Sequence, residues 1–124
     1  MKKPPIVELR NDYLYIKASG DRTSFKEIVE GTLDIYESAQ KYQTKKVFGD
    51  YREVRFKVSI TEAFNILRFY ENKLPEFQGI AMCIVINPED QKIANYWESI
   101  FVKRGYNVSV FKDITKAEEW LKQQ

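Results

Sequence analysis

One uninterrupted apolar segment constrains the fold of this chain more than any other feature. Residues 79–86 read GIAMCIVI, with no charged side chain among them. A strand with one face in solvent alternates apolar and polar residues, whereas a strand covered on both faces is apolar throughout. The segment therefore predicts an interior strand of a mainly parallel sheet, with helices on both sides.

The segments before and after it alternate between strand and helix patterns. Residues 5–10 and 13–20 are strand-like runs separated by Asn11-Asp12, a two-residue turn signal that predicts a hairpin. Helical periodicity follows in residues 24–42, 60–74 and 87–104 and from residue 113 onward, and further strands are predicted at 45–51, 79–86 and 106–111. The order ββαβαβαβα predicts an α/β fold in a single domain, residues 1–124. Its sheet should be mixed, mainly parallel and five-stranded, with an N-terminal hairpin and four helices.

Two local signals mark the first helix. Ser24 stands three residues before Glu27, a spacing that is typical of a capping box. Gly31 lies inside the helical pattern, where glycine costs about 1 kcal/mol relative to alanine. We therefore expect a neighbouring element to pack closely against Gly31.

The absence of histidine narrows the chemistry that the chain can perform. With no His, neither a Ser-His nor a Cys-His nucleophile pair can form, and the commonest metal ligand is missing. The 20 basic and 18 acidic side chains leave a net charge of +2, which is too balanced for nucleic-acid binding. No apolar run is long enough to cross a bilayer, and the single Cys fits a reducing compartment. We expect a cytoplasmic, non-catalytic protein that has no cofactor, no metal, no nucleic-acid partner and no integral membrane segment.

Three stretches, taken in order, resemble a known family. YLYIKASGDRTSFKEIVE (residues 13–30) is similar to its second strand and first helix, KKVFGDYREV (45–54) to its third strand ending in Asp, and RGYNVSVFKDITKAEEWL (104–121) to its closing strand and helix. Together they resemble the SpoIIAA-like family of the STAS superfamily, which is named after sulfate transporters and anti-sigma factor antagonists. The resemblance spans nearly the whole chain and implies the STAS fold and the binding of a protein partner.

Ser59 admits two interpretations. In the anti-sigma factor antagonists, a serine in the loop after the third strand is phosphorylated, and the phosphate blocks docking of a partner kinase. Ser59 falls at about that place, but Val58, Ile60 and Thr61 replace the Asp, the second hydroxyl residue and the Gly of the family motif. The spacing from Ser59 to Glu62 also predicts a capping box, in which the hydroxyl accepts from a backbone N–H of the first helical turn. Ser59 is therefore either a phosphorylation site or a helix cap.

The stretch REVRFKVS (residues 52–59) alternates cations with apolar residues in the predicted loop after the third strand. An extended segment would direct Val54, Phe56 and Val58 inward and its cations outward. The loop should lie at the carboxyl ends of the strands, beside a helix N-terminus, where open α/β sheets bind ligands. The residues expected to bind an anion or an acidic partner surface are Asp50, Arg52, Arg55, Lys57 and Ser59. The alternative is a solvated loop whose charge is offset by neighbouring acids.

Asp50 also allows a comparison with receiver domains. An Asp at the end of the third strand, with Lys112 after the last strand, resembles their phosphoacceptor and lysine. Receiver domains also need an acidic pair after the first strand to hold magnesium, and only Asp21 stands in that neighbourhood. The sequence therefore supports a receiver domain less well than it supports a STAS-like binding module.

Aromatic residues concentrate on the second and third predicted helices. Their helical spacing is typical of an aromatic-rich core, and the alternative is a groove for a lipophilic ligand between the two helices. SpoIIAA-like proteins are similar in fold to the lipid-carrying CRAL-TRIO domains, so a ligand groove is retained as the alternative hypothesis. The residues expected to line it are Phe64, Phe69, Tyr70, Trp97 and Phe101.

Two functions follow as hypotheses. The first is a non-catalytic regulatory module that binds a protein partner, or a second copy of itself, through the segment from Asp50 to Ser59 and the helix after it. The second is a carrier or sensor of a small lipophilic or anionic ligand held between the second and third helices. Hydrolytic or transfer chemistry is disfavoured, because no convergent acid/base set compensates for the missing histidine.

Overall fold

Five strands form one sheet in the computed structural model, which describes residues 3–124. The strands are β1 (Ile6–Arg10), β2 (Tyr13–Arg22), β3 (Lys46–Phe56), β4 (Ala81–Ile86) and β5 (Asn107–Phe111), and they lie side by side in that order. β1 pairs antiparallel with β2, and the other neighbours pair parallel. Asn11 has a φ of 51° in the turn between β1 and β2, a conformation that Asn tolerates well. The predicted hairpin and the mixed, mainly parallel sheet are confirmed.

Four α-helices connect and follow the strands within the described residues. They are α1 (Phe25–Tyr42), α2 (Thr61–Lys73), α3 (Gln91–Lys103) and α4 (Ile114–Lys122), and short 3₁₀ turns occupy Pro75–Gly79 and Pro88–Asp90. The predicted Ser24 cap is present at α1: its hydroxyl accepts from the backbone N–H of Glu27 at 3.3 Å. The Glu27 carboxylate accepts from the N–H of Thr23 at 2.7 Å instead of from that of Ser24, so the capping box is formed in part. The order ββαβαβαβα is confirmed.

The two faces of the sheet carry two separate hydrophobic clusters. Each parallel crossover moves to the next strand in the same direction, so right-handed connections place α1, α2 and α3 on one face. The larger cluster joins these three helices to residues such as Ile16, Val47 and Ile84. The smaller cluster lies on the opposite face, where α4 packs through Ala117 and Leu121.

β4 is buried along its whole length, as the apolar segment predicted. It lies between β3 and β5, so both of its edges are paired. Met82 and Ile84 face α1–α3, whereas Cys83 and Val85 face α4. Burial raises the pKa of the Cys83 thiol to about 12, which keeps it protonated and unreactive at neutral pH.

β3 is longer than predicted. The expected strand at 45–51 continues to Phe56, because residues 53–56 pair with the end of β2. Lys17 pairs with Asp50 and Ser19 with Glu53, so β3 carries one extra residue between those two pairs, a β-bulge. The prediction that a loop begins after residue 51 is wrong: most of the stretch from Asp50 to Ser59 is part of the sheet.

None of the helices within residues 3–124 is both long enough and apolar enough to cross a bilayer.

Candidate functional site

Asp50 and Arg52 form a closed pair on the α4 face of β3. The Asp50 side chain is 1% exposed and accepts from Arg52 Nε at 2.9 Å, from Arg52 Nη2 at 2.8 Å and from the Tyr15 hydroxyl at 2.9 Å. Burial alone would raise the pKa of Asp50, but the hydrogen bonds from Arg52 and Tyr15 outweigh burial and hold the pKa below its ordinary value. A carboxylate enclosed in this way is unlike the open phosphoacceptor of a receiver domain. Arg52, which was expected beyond the strand end, lies within the strand.

Arg55 ties the end of β3 to the start of α3. Its guanidinium donates to Asp90 at 3.2 Å and to Glu89 at 3.0 Å. Asp90 is 3% exposed and also accepts from the backbone N–H of Phe56 at 3.1 Å. Both bonds span 34 or 35 residues of sequence, so this pairing exists only in the folded chain.

Lys57 and Ser59 lie between the end of β3 and the start of α2. Lys57 Nζ lies 2.9 Å from the Asp21 carboxylate in an exposed ion pair. The Ser59 hydroxyl accepts from the backbone N–H of Thr61, the first residue of α2, at 3.2 Å. The backbone N–H of Glu62 bonds to the Ser59 carbonyl oxygen instead of to its hydroxyl. The predicted bond to the first turn is confirmed, the full capping box is not formed, and phosphorylation of Ser59 stays a prediction.

The charges of the basic stretch are therefore balanced from within the protein. Arg52, Arg55 and Lys57 each have a carboxylate within 3.2 Å. An acidic partner would have to compete with these contacts, so the positive charge available to it is smaller than the sequence suggests. The stretch remains a predicted binding surface, and its tight internal pairing is the main structural argument against it.

The five residues predicted to line the aromatic groove lie in different places in the structure: in the core, at the surface or beside a cavity. Phe101 is fully buried, with its ring centroid 4.9 Å from that of Tyr70 and 4.8 Å from that of Trp97. Phe69 packs against the same core at its edge. Phe64 is 36% exposed, so it is not part of the buried core. The buried side of α2 is formed by Ala63, Ile66, Leu67 and Tyr70.

A cavity of about 100 Å³ lies between the sheet and helices α1, α2 and α3. Its apolar lining includes Ile35, Ile66, Tyr70, Met82, Ile84 and Trp97. Of the five predicted groove residues, Tyr70 and Trp97 line it and the other three do not. The cavity is therefore adjacent to the predicted groove, but it extends under α1 as well as between α2 and α3.

The position of this cavity in the fold is that of a typical α/β ligand site. Arg22, Phe56 and Ile86, the last residues of β2, β3 and β4, all line it. Ala63 and Ala94, near the starts of α2 and α3, close it from the helix side. Ligands of open α/β sheets bind outside the carboxyl ends of the strands, and this cavity lies at that edge.

Arg22 is the functional candidate that the sequence did not reveal. It is only 8% exposed, and it lines the cavity. Its guanidinium lies over Gly31 of α1, where an added Cβ would be 3.6 Å from Nε. The expected close packing at Gly31 is confirmed, and the element that packs there is the charged end of an arginine.

Metal binding finds no support in the part of the chain that the structure describes. Residues 3–124 bring together no group of three His, Cys, Asp or Glu side chains that could hold a metal ion. Glu62 is the one carboxylate among the residues that line the cavity.

Comparison with known proteins identifies the fold. The structure is similar to that of an uncharacterized protein from the DUF3478 family with a SpoIIAA-like fold from Shewanella loihica PV-4. The two share 23% sequence identity with a TM-score of 0.57, over 94% of this chain and 91% of that chain. No protein-family model and no curated protein matches the sequence. The chain therefore has a SpoIIAA-like fold, as its sequence resemblance predicted, and its function has to be argued from the site.

Proposed function

We propose that this protein is a non-catalytic binding module that holds a small, largely apolar molecule in the cavity between the sheet and helices α1–α3. The observation that carries the proposal is the cavity itself: about 100 Å³, almost wholly apolar, at the carboxyl edge of the sheet. Ligand sites are mostly apolar with a few convergent polar groups, and here Arg22, Thr32 and Tyr51 provide such groups.

The volume limits the size of the ligand. A cavity of about 150 Å³ lined by apolar side chains holds benzene, so the present cavity suits a molecule of roughly that size or slightly smaller. A ring or a short branched chain would fit. A long-chain lipid would require the helices to move apart.

The experiment compares ligand retention in the wild type with that in a variant whose cavity is filled. Ala94 of α3 lines the cavity, and leucine at this position would occupy part of it. We expect native mass spectrometry of protein purified without detergent to show a small adduct, or benzene to raise the melting temperature. Ala94→Leu should abolish either effect.

Ser99→Leu provides the matched control. Ser99 lies on the same helix but is exposed and lies outside the cavity lining, so this variant should bind as the wild type does. If Ala94→Leu is folded and binds with undiminished affinity, or if the wild type shows neither adduct nor benzene stabilisation, the proposal is wrong.

A second candidate function is the binding of a protein partner at the start of α2. The specific observation is that Ile60 and Phe64 are 40% and 36% exposed beside Ser59, within the surface that the sequence predicted for this role. Size-exclusion chromatography with light scattering would test self-association, and pulldown would test other partners. Ile60→Ser/Phe64→Ser should weaken binding, while Val102→Ser, at a residue 51% exposed on α3, should not. Equal behaviour of the two variants would reject this surface.

A further inference from the structure

Arg22 is a buried charge at the boundary between an apolar cavity and the protein exterior. It is the last residue of β2 and is 8% exposed. Its Nη1 donates to the carbonyl oxygen of Ser19 at 3.2 Å. A guanidinium carries five N–H donors, so this hydrogen bond uses a small part of its capacity.

Arg22 lacks an ion pair in the part of the chain that the structure describes. No carboxylate of residues 3–124 forms an ion pair with it, whereas Arg52, Arg55 and Arg104 each have one at 2.8–3.2 Å. These three guanidinium groups are more exposed than Arg22. Burying an unpaired charge is costly unless an opposite charge arrives with it. The most buried of these arginines is thus the one that still requires an anion.

A second groove on the far side of Arg22 is acidic. It is lined by Arg22 together with Glu27, Glu30 and Asp34 of α1, and each of these carboxylates has interactions of its own. Lys3 lines the same groove, so the carboxylates there lie among cations as well as beside Arg22.

Tyr51 adds a donor beside Arg22. Its side chain lines both the cavity and the acidic groove and is 8% exposed. Burial raises the pKa of Tyr51 to about 12, although the charge of Arg22 opposes the shift. The hydroxyl is therefore protonated at neutral pH and can donate a hydrogen bond to an anion.

We infer that the ligand of this cavity is a small monocarboxylate, with its carboxylate on Arg22 and its apolar part among the side chains of α1–α3 and β4. This inference rests on the proposed function and adds the chemical class of the ligand. The planar fork of an arginine matches a carboxylate with two parallel hydrogen bonds. Arg22 is the one cation among the described residues that line the apolar cavity, which disfavours phosphate and other multiply charged anions. The cavity volume limits the apolar part of the ligand to a short branched or cyclic group.

The test measures the preference for a carboxylate over its uncharged amide. Isothermal titration calorimetry with 3-methylbutanoate and 3-methylbutanamide compares two ligands of the same shape, and inorganic phosphate serves as a third probe. We expect the wild type to bind the carboxylate at least about 10-fold more tightly than the amide, because hydrogen bonds to charged groups are the strong ones. Phosphate should not bind measurably.

Substitutions of Arg22 test whether this residue causes the preference for the carboxylate over the amide. Arg22→Met should bind carboxylate and amide equally, with affinity for the carboxylate reduced at least about 10-fold. Arg22→Lys should keep a reduced preference, because it retains the charge without the fork. Arg68→Met, at an exposed position on α2 outside the cavity lining, should behave as the wild type does.

The outcomes separate this inference from the proposed function. Equal binding of carboxylate and amide by the wild type, or tighter binding of phosphate, overturns the monocarboxylate and leaves an apolar-ligand site standing. An unchanged preference in Arg22→Met overturns the role of Arg22. Failure of both organic ligands to bind the wild type contradicts this inference, and together with a negative benzene experiment it contradicts the proposed function. If Arg22→Met does not fold, as judged by circular dichroism, the wild-type ratio and Arg22→Lys decide the question.

Discussion

Two arginines near the carboxyl edge of the sheet face opposite sides and have opposite environments. Arg52 lies on the α4 face, half-exposed, with two hydrogen bonds to the buried carboxylate of Asp50. Arg22 lies on the α1–α3 face, buried beside a cavity, with one side-chain hydrogen bond, to Ser19, within residues 3–124. The cluster of charges in the sequence predicts binding at Arg52. In the structure, it is Arg22 whose guanidinium has N–H donors that are not used within residues 3–124. The difference teaches that a cluster of charges can be internally balanced while an isolated one is available to a ligand.

The largest expected effect is that of removing Arg52. Among the described residues, Arg52→Met leaves the buried carboxylate of Asp50 with the Tyr15 hydroxyl as its one side-chain donor. We expect the free energy of unfolding to fall by about 2 kcal/mol, because hydrogen bonds to charged groups contribute about 1.5–3 kcal/mol and Arg52 is partly screened by solvent. Urea denaturation would measure it. The control is Arg104→Met, which breaks a surface ion pair with Glu71 and should cost less than about 1 kcal/mol. Equal losses in the two variants would contradict the closed pair.

The pH dependence of stability should report the same pair. The folded-state pKa of Asp50 lies below its ordinary value of 3.8, so its contribution to stability is fully present above that value. The contribution is lost as pH falls through the folded-state pKa. We expect the wild type to lose stability more steeply than Arg52→Met below about pH 4, as measured by urea midpoints at successive pH values. Parallel curves would show that Arg52 does not set the pKa of Asp50.

A smaller effect is expected at Ser59, in the stretch that looked functional in sequence. Ser59→Ala removes the bond to the N–H of Thr61 and should lower stability by about 0.5–1 kcal/mol. Affinity for 3-methylbutanoate should not change, because Ser59 does not line the cavity. Ser99→Ala on the exposed side of α3 is the control. A change in ligand affinity in Ser59→Ala would link this stretch to the cavity after all.

The smallest effect on stability is expected at Arg22. Arg22→Met removes a buried charge that lacks an ion pair in residues 3–124, so the free energy of unfolding without ligand should stay within about 1 kcal/mol of the wild type, or rise. Urea denaturation of Arg22→Met beside Arg52→Met would test this directly. A loss at Arg22 as large as that at Arg52 would show that Arg22 is a structural residue, and the contrast between the two faces would disappear.

Most of the fold could be predicted because its signals are local. The apolar segment of β4, the Asn11-Asp12 turn and the Ser24 cap each act over a few residues, and each was found where the sequence placed it. The end of β3 was not predicted, because residues 52–56 look like a polar loop. Their backbone groups pair with β2 only after a bulge shifts the register, and a bulge has no distinct signal in this sequence.

The candidate site was predicted in part. Tyr70 and Trp97 were identified from helical spacing, and both line the cavity. Phe64 was predicted to line the same groove, but it is exposed and does not line the cavity, because the buried side of α2 runs through Ala63 and Ile66. Arg22 was missed because it ends a strand in a polar segment, where arginine is usually exposed. One available signal was Gly31, whose missing side chain leaves room for the guanidinium.

The sequence by itself determined the order of the elements and the burial of β4, since hydrophobic period, turn residues and caps depend on neighbours along the chain. Only the tertiary structure decided which charges are compensated. Arg55 donates a hydrogen bond to Asp90, which is 35 residues away in the sequence. Arg22 lines an apolar cavity that is formed by three helices and the sheet. The energy of a charge depends on what surrounds it in space, and for both arginines those surroundings come from distant segments that only folding brings together.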